Sequence, residues 1–327
     1  MMTITAIIPT YHRPKDLTRC LEAIKQQTRA ADEVLVVVRD SDSETWELFK
    51  ESNFDPLPIH IVMVKVPGVV AALNAALDIA KGDIITITDD DAAPHNDWLE
   101  RIETYYLSDD HLGGVGGRDW VYWENKLLDH SDAQKVGKVL WFGRVIGNHH
   151  RGVGTACEVD ILKGVNMSYR RSAITGAGLR FDERMRGTGA QVNFEMVFCF
   201  ALRRAGWRLI YDPMVAVDHY PAKRFDEDQR TTFNDKVLLN SVHNETLALL
   251  EYLSPIRRAI FLVWAVLVGT QESLGFLQWL RFLPSEESLV GQKLLASLKG
   301  RWQGWRTWRQ CVSQARRSDR HLDRVSM

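Results

Sequence analysis

Ile84-Ile85-Thr86-Ile87-Thr88 runs straight into Asp89-Asp90-Asp91. Five apolar or β-branched residues between Gly82 and the acids read as a short buried strand. Three adjacent carboxylates at its carboxyl end repel one another, and that costs stability unless solvent or a cation compensates. Hard oxygen donors suit Mg²⁺ or Mn²⁺. A solvated acidic turn is the alternative for any such triplet. The strand before it, and Ala92-Ala93-Pro94 read as opening a helix behind it, favour the cation.

Upstream, strand and helix patterns alternate. Ile4 to Pro9 is an apolar run ended by proline. Pro14 to Gln27 places Leu17, Cys20, Leu21 and Ile24 on one helical face. Glu33 to Val38 reads as a strand, Ser43 to Glu51 as a helix and Ile59 to Val64 as a strand. Gly68 to Lys81 reads as a helix stopped by Gly82. Three successive β-α-β steps predict an α/β fold: a mostly parallel sheet flanked by helices, with ligands at the carboxyl ends of its strands. Downstream, the pattern predicts a helix over Pro94 to Leu107, a strand within Gly113 to Trp123, and a long excursion over 124–160. A segment at Gly164 to Arg171, a helix near 191–205, and strands near 207–211 and 214–219 follow. Beyond about 225, long helical stretches take over. The expected division is a 1–225 α/β domain and a 226–327 helical region.

Composition narrows the classes. The chain has 327 residues, 45% hydrophobic and 25% charged, which excludes a disordered chain or a small disulfide scaffold. A net charge of -1 gives no global attraction to nucleic acid. The cysteines at 20, 157, 199 and 311 form no C-x-x-C, so no zinc knuckle or thioredoxin-type motif is available. The opening residues carry no signal-peptide pattern, and the cytoplasm is the expected compartment. There is no G-x-x-x-x-G-K-[ST], no G-x-S-x-G, and no complete G-x-G-x-x-G after a strand. A nucleotide diphosphate would therefore be held through a metal.

Several pieces together resemble the family-2 glycosyltransferases, inverting enzymes of the GT-A fold. Ala6 to Arg13 (AIIPTYHR) resembles their opening strand, and Lys81-Gly82-Asp83-Ile84 leading to Asp89-Asp90-Asp91 their metal strand and DXD motif. Gly68 with Asn74, Gly164 to Arg171 (GVNMSYRR), Arg203 to Trp207 (RRAGW), Tyr211-Asp212-Pro213 and His219 resemble later family segments. The matches span roughly 4–220.

The resemblance implies roles. Pro9, Thr10, Tyr11, Arg13, Asn74, Asp89, Asp90 and Asn166 would contact a nucleotide-diphosphate sugar. Asp40 would sit near the base and ribose, although the family more often has two acids where this chain has Arg39-Asp40. Asp89, Asp91 and His219 would hold the divalent metal, Mn²⁺ or Mg²⁺. An arginine often stands where this chain has Leu73. The family's Glu-Asp pair falls on Phe194 and Glu195, which makes Glu195 the candidate base. Its longer side chain changes the reach by about 1.5 Å. Its other reading is a carboxylate complementing a helix N-terminus. His219 has a structural alternative as well. Trp120 and Trp123 could stack on an acceptor sugar or pack in the core. His149-His150 reads as a loop. The implied function is metal-dependent sugar transfer, with inversion, to a glycan or lipid-linked acceptor, as in polysaccharide biosynthesis. The departures keep open a non-catalytic nucleotide-sugar-binding or scaffold protein. A nucleotidyltransferase is a further alternative.

The C-terminal region carries a separate signal. Ala259 to Gln271 is uncharged over thirteen residues, short of the roughly twenty that span a bilayer. Trp302, Trp305 and Trp308 follow at three-residue spacing. Residues 299–327 carry eight Lys/Arg against two Asp, a balance of +6, leaving -7 for residues 1–298. The tail is thus expected either to bind an anionic membrane surface, peripherally on the cytoplasmic face, or to dock on the catalytic domain.

Overall fold

Strand β1 (Ile4–Thr10), helix α1 (Pro14–Lys25), β2 (Glu33–Arg39), α2 (Ser43–Glu51), β3 (Ile59–Val64), α3 (Val69–Leu77) and β4 (Ile84–Thr88) realise the expected alternation in the computed structural model. The structure describes the chain apart from residues 125, 129–130, 228–231 and 326–327, and apart from the side chains of 285–288 and 315–325. Pro14 starts α1, where its missing N–H costs nothing. Leu17, Cys20, Leu21 and Ile24 are all buried on that helix's inner face. Asp42 caps α2 by accepting from the Thr45 N–H.

The rest follows as β5 (Ala92–Pro94), α4 (Trp98–Ser108), β6 (Leu112–Trp123), β7 (Lys126–Leu127), β8 (Lys138–Val139), β9 (Val145–Ile146) and β10 (Cys157–Glu158), then β11 (Asn166–Arg170), α5 (Arg171–Gly176), α6 (Phe194–Arg204) and β12 (Arg208–His219). Among the described residues the main sheet runs β10-β12-β6-β11-β4-β1-β2-β3, with β5 paired to β12 and β7 to β6. β3, β2, β1 and β4 are parallel. β11 is antiparallel to both neighbours, while β12 is parallel to β6. The fold is α/β, a mostly parallel sheet flanked by helices with a helical C-terminal extension.

Two local expectations are corrected. Ala92-Ala93-Pro94 does not open a helix: it forms β5, with Ala92 opposite His219, and α4 begins only at Trp98. Backbone groups that proline would leave poorly served in a helix find the β12 edge instead. The two strands expected near 207–211 and 214–219 are one, interrupted by a register shift between Asp212 and Val217. The irregularity presses β12 onto β6 so closely that a Cβ on Gly117 would lie 1.7 Å from the Val215 carbonyl oxygen. Only glycine allows that approach.

Side chains alternate across the sheet. Ala6, Ile8, Val34 and Val36 join α1 and α4 in one core, while Ile7, Leu35, Ile85 and Ile87 join α3 and α6 in the other. Helices α7 (Asp235–Tyr252) and α8 (Pro255–Leu267) contribute Leu247, Leu250, Phe261 and Ala265 to that second core. Helix α9 (Phe276–Val325) packs along α7. Trp305 and Trp308 lean against the core, and buried Arg301 pairs with Glu245. Of the three tail tryptophans only Trp302 faces outward. The basic side chains at 316, 317, 320 and 324 lie outside the described residues.

Candidate active site

Because β1 and β4 are parallel neighbours, residues 10–13 and 89–91 leave the sheet side by side. β12 runs in the same direction as β4 and delivers His219 to the same edge, where β6 presents Asp119. The sequence that makes good parallel strands therefore gathers the acids.

Thr10 donates to Asp90 Oδ2 at 2.7 Å. The Arg13 guanidinium lies 2.7 Å from Asp90 Oδ1 and 3.3 Å from Asp91 Oδ2. Asp91 is fully buried and also accepts the Ala222 N–H at 3.0 Å. His219 Nε2 lies 3.4 Å from Asp91 Oδ1, and Nδ1 lies 3.5 Å from Asp119 Oδ2. Burial alone would lower the His219 pKa, but its contacts with Asp119 and Asp91 push it up to about 9. Burial also raises Asp90, with Arg13 opposing and Asp91 adding, to about 7. Asp119 is held well below the usual carboxylate range: burial works against ionisation, but the Lys163 ammonium and His219 outweigh it.

Asp89, Asp91 and His219 each offer one donor atom within 4.8 Å of the others. Two carboxylates and an imidazole are a donor set for Mn²⁺ or Mg²⁺. Asp119 behind the imidazole supplies the carboxylate that commonly orients a ligating histidine. These residues fit a divalent ion.

Beside this cluster lies an open cleft. Pro9, Thr10, Tyr11, Arg13, Asp89 and Asp90 all line it, together with Arg39, Gly68, Gly189 and Asp226. Gly68 has φ +108, and a Cβ there would sit 2.3 Å from Gln191 Oε1. Gln191 in turn accepts the Val70 N–H at 2.9 Å, tying the start of α3 to the approach to α6.

Three of the residues implied as donor contacts stand elsewhere. Asp40 is exposed and does not line the cleft. The alternation of β2 turns Arg39 inward instead; its guanidinium stacks 3.7 Å from the Tyr11 ring centroid and 3.3 Å from Asp226. Asn74 is buried in a closed exchange, donating to the Phe181 carbonyl and accepting the Phe181 N–H, both at 2.9 Å. Asn166 is buried, accepting from Trp98 Nε1 at 2.9 Å and donating to the carbonyls of Val215 (2.7 Å) and Arg118 (3.2 Å). Both amides clamp distant segments of the protein together, Asn166 with both of its N–H groups and its oxygen engaged. Asn166→Ala would leave an indole N–H and two carbonyls unpaired in the core, so it should lower unfolding free energy by about 3 kcal/mol in a urea titration.

Glu195 lies in the first turn of α6, after Asn193 in the left-handed region at φ 72. Burial pushes its carboxyl up to about 7; its own backbone N–H and Lys163 oppose the shift, and Asp89 adds to it. Glu195 is thus a first-turn carboxyl of raised proton affinity. Phe194 packs 5.5 Å from the Phe181 ring, so a core contact replaces the family's first acid. Trp120 lies under Arg118 at 3.6 Å, whereas Trp123 is exposed. His149 is buried against the Ile161 carbonyl in a short 3-10 turn.

Sequence reasoning missed Asp119, Lys163, Arg39 and Asp226. A lone carboxylate inside the glycine-rich, aromatic segment Leu112–Trp123 was the available signal for Asp119. Nothing local marks Asp226, which reaches the cleft only through the path of the chain after β12.

The family profile described as Glycosyl transferase family 2 matches residues 5–205. Glycosyltransferase AglE of Haloferax volcanii is 33% identical over 102 residues, 30% of this chain and 33% of that protein. The chain thus spans about a third of that relative's length. Glucosyl-dolichyl phosphate glucuronosyltransferase of the same organism is 23% identical over 233 residues, 67% of this chain and 69% of that one. Among solved structures, the mannosyltransferase PcManGT from Pyrobaculum calidifontis, in complex with GDP-Man and Mn²⁺, superposes with a TM-score of 0.55 at 19% identity, covering 94% of this chain and 83% of that one. With more than half of its length matched to the family profile and a GT-A-like sheet beneath the acidic edge, the chain belongs to glycosyltransferase family 2.

Proposed function

We propose that the chain moves a sugar from a nucleotide-diphosphate donor to an acceptor hydroxyl, with inversion, using Glu195 as the general base. The convergence of Asp89, Asp91 and His219 beside the cleft is the observation that carries this reading. Asp89, Asp91 and His219 would hold a divalent ion, which when bound would supply charge neutralisation to the departing diphosphate. Tyr11, Arg39, Asp226 and Arg13 line the cleft; the first three would face the nucleoside and Arg13 the phosphates. Glu195 accepts the acceptor's proton while the freed oxygen attacks the anomeric carbon opposite the leaving group. One carbon–oxygen bond forms as the other breaks, so a single displacement inverts the centre and needs no covalent enzyme intermediate. A lipid-linked or glycan acceptor is favoured by the dolichyl-phosphate substrate in the name of one relative. Among the described residues no helix is long and apolar enough to cross a membrane; a peripheral, cytoplasmic placement is part of the proposal.

Purified chain with Mn²⁺ or Mg²⁺ and a panel of nucleotide sugars should bind and turn over at least one donor. A chelator should abolish turnover, and either metal should restore it. Absence of both binding and turnover across the panel, with lipid and glycan acceptors present, would remove the reading. Phe194 and Leu73 favour a second reading, a non-catalytic donor-binding protein. It predicts donor binding with background hydrolysis unchanged by Glu195→Gln.

A further inference from the structure

Helix α8 has two apolar faces. Phe261 and Ala265 are fully buried in the core. On the opposite side Ile256, Val263 and Leu267 are exposed by 76%, 58% and 51%. At about 100° per residue these three project within roughly 40° of one another, half a turn from Phe261 and Ala265. Beside them stands the β8–β9 hairpin, whose Trp141 is 66% exposed. The hairpin is fastened to α8: Phe142 packs 5.1 Å from Trp264, and the Arg257 guanidinium donates to the carbonyls of Trp141 (2.8 Å) and Leu140 (3.1 Å). Leu277 and Leu280, also exposed, continue the apolar surface into the first turns of α9. An outward tryptophan and three large aliphatics, held on rigid elements, form more than the scattered apolar exposure of an ordinary surface.

The charge around this face selects its occupant. Residues 133–148 and 254–284 together hold six Lys/Arg and one acid, Glu272, in a chain whose net charge is -1. Arg257, next to Ile256, donates to the backbone carbonyls of Trp141 and Leu140, and among the described residues it forms no ion pair. Cations flanking an exposed apolar strip, with a tryptophan at its edge, complement anionic headgroups over acyl chains. The apolar part of α8 is too short to span. We infer that the outer face of α8, with Trp141 of the β8–β9 hairpin, is a peripheral docking surface for an anionic lipid bilayer. Trp305 and Trp308 lean on the core and leave Trp302 as the exposed tail tryptophan. The inference rests on this surface and not on the catalytic reading.

Vesicle co-sedimentation of the full chain tests it without any assay of turnover. Wild type should bind vesicles of equal parts phosphatidylcholine and phosphatidylglycerol about tenfold more tightly than vesicles of phosphatidylcholine alone. The triple variant Trp141→Ala, Ile256→Asp, Val263→Asp should lose at least about tenfold in binding to the anionic vesicles. Trp302→Ala should bind as wild type does. If the triple variant fails to fold, judged by circular dichroism, Ile256→Cys in a Cys157→Ser, Cys311→Ser background, carrying an environment-sensitive dye, replaces it. Its emission should shift to the blue on anionic vesicles only. Absence of wild-type binding, or undiminished binding by the triple variant, or a dye that does not respond, would overturn the proposal. So would a wild-type dimer that ignores vesicles and becomes monomeric in the triple variant, since the face would then join two copies of this chain.

Discussion

Glutamine in place of Glu195 should lower kcat by roughly 10²- to 10⁴-fold, the usual range for losing a positioned general base. The donor's KM should change little, because the residue is proposed to act on the acceptor's proton rather than on the nucleotide. The substitution keeps the shape of the side chain in the first turn of α6, so the melting temperature should stay close to wild type. The pH profile gives a second, independent signature. Burial raises the Glu195 carboxyl to about 7, so its basic form is present above that pH and lost below it. Wild-type kcat/KM should therefore climb with pH through about 7. The residual activity of the glutamine variant should lack that limb, since an amide does not titrate there. A glutamine variant with wild-type kcat, or with an unchanged acid limb, would assign the base to another group.

Asp91→Asn should cost roughly 10²–10³-fold in kcat/KM, the scale seen when one electrostatic contact to developing charge is removed. Asp91 accepts the Ala222 N–H and lies 3.3 Å from Arg13 and 3.4 Å from His219. An amide of the same shape can still accept the Ala222 N–H, and Arg13 keeps Asp90. The fold should survive, while the charge that would bind a divalent ion is gone. Activity should need a higher Mn²⁺ concentration and remain low at saturation. Titration of kcat/KM against Mn²⁺ checks this; a wild-type rate at every concentration would show that Asp91 does not carry the site.

These two residues differ in how readily the sequence exposes them. Asp91 follows a five-residue buried strand, and no core position tolerates three consecutive carboxylates without a reason. Glu195 emerges only by counting back from the Arg203 to Trp207 segment, because Phe194 has replaced the acid that would have marked it. Asn74 and Asn166 show the opposite case. Each occupies a position where the resemblance implies a ligand contact, yet each closes its hydrogen bonds on the protein. Residue identity cannot distinguish an amide facing a ligand from one facing a backbone carbonyl; the partner comes from a strand or loop far away in sequence.

Local periodicity was enough for the parallel half of the sheet. Unbroken apolar runs mark β1, β2 and β4 as strands buried on both faces, and the three-to-four-residue spacing in α1 dictates which face that helix buries. It also carried the acidic strand end, because parallel strands send their carboxyl ends to one edge. Tertiary structure alone decided the partners at that edge. Asp119 and Asp226 reach it through β6 and through the chain beyond β12, and Arg39 displaces Asp40 by the sense in which β2 leaves the sheet. It also decided the fate of the C-terminal tryptophans. By spacing, Trp302, Trp305 and Trp308 read either as membrane contacts or as a docked helix face; Trp305 and Trp308 pack against the core, Trp302 stays exposed, and a further exposed apolar face belongs to α8. Spacing says which residues share a side of a helix; what covers that side depends on long-range packing.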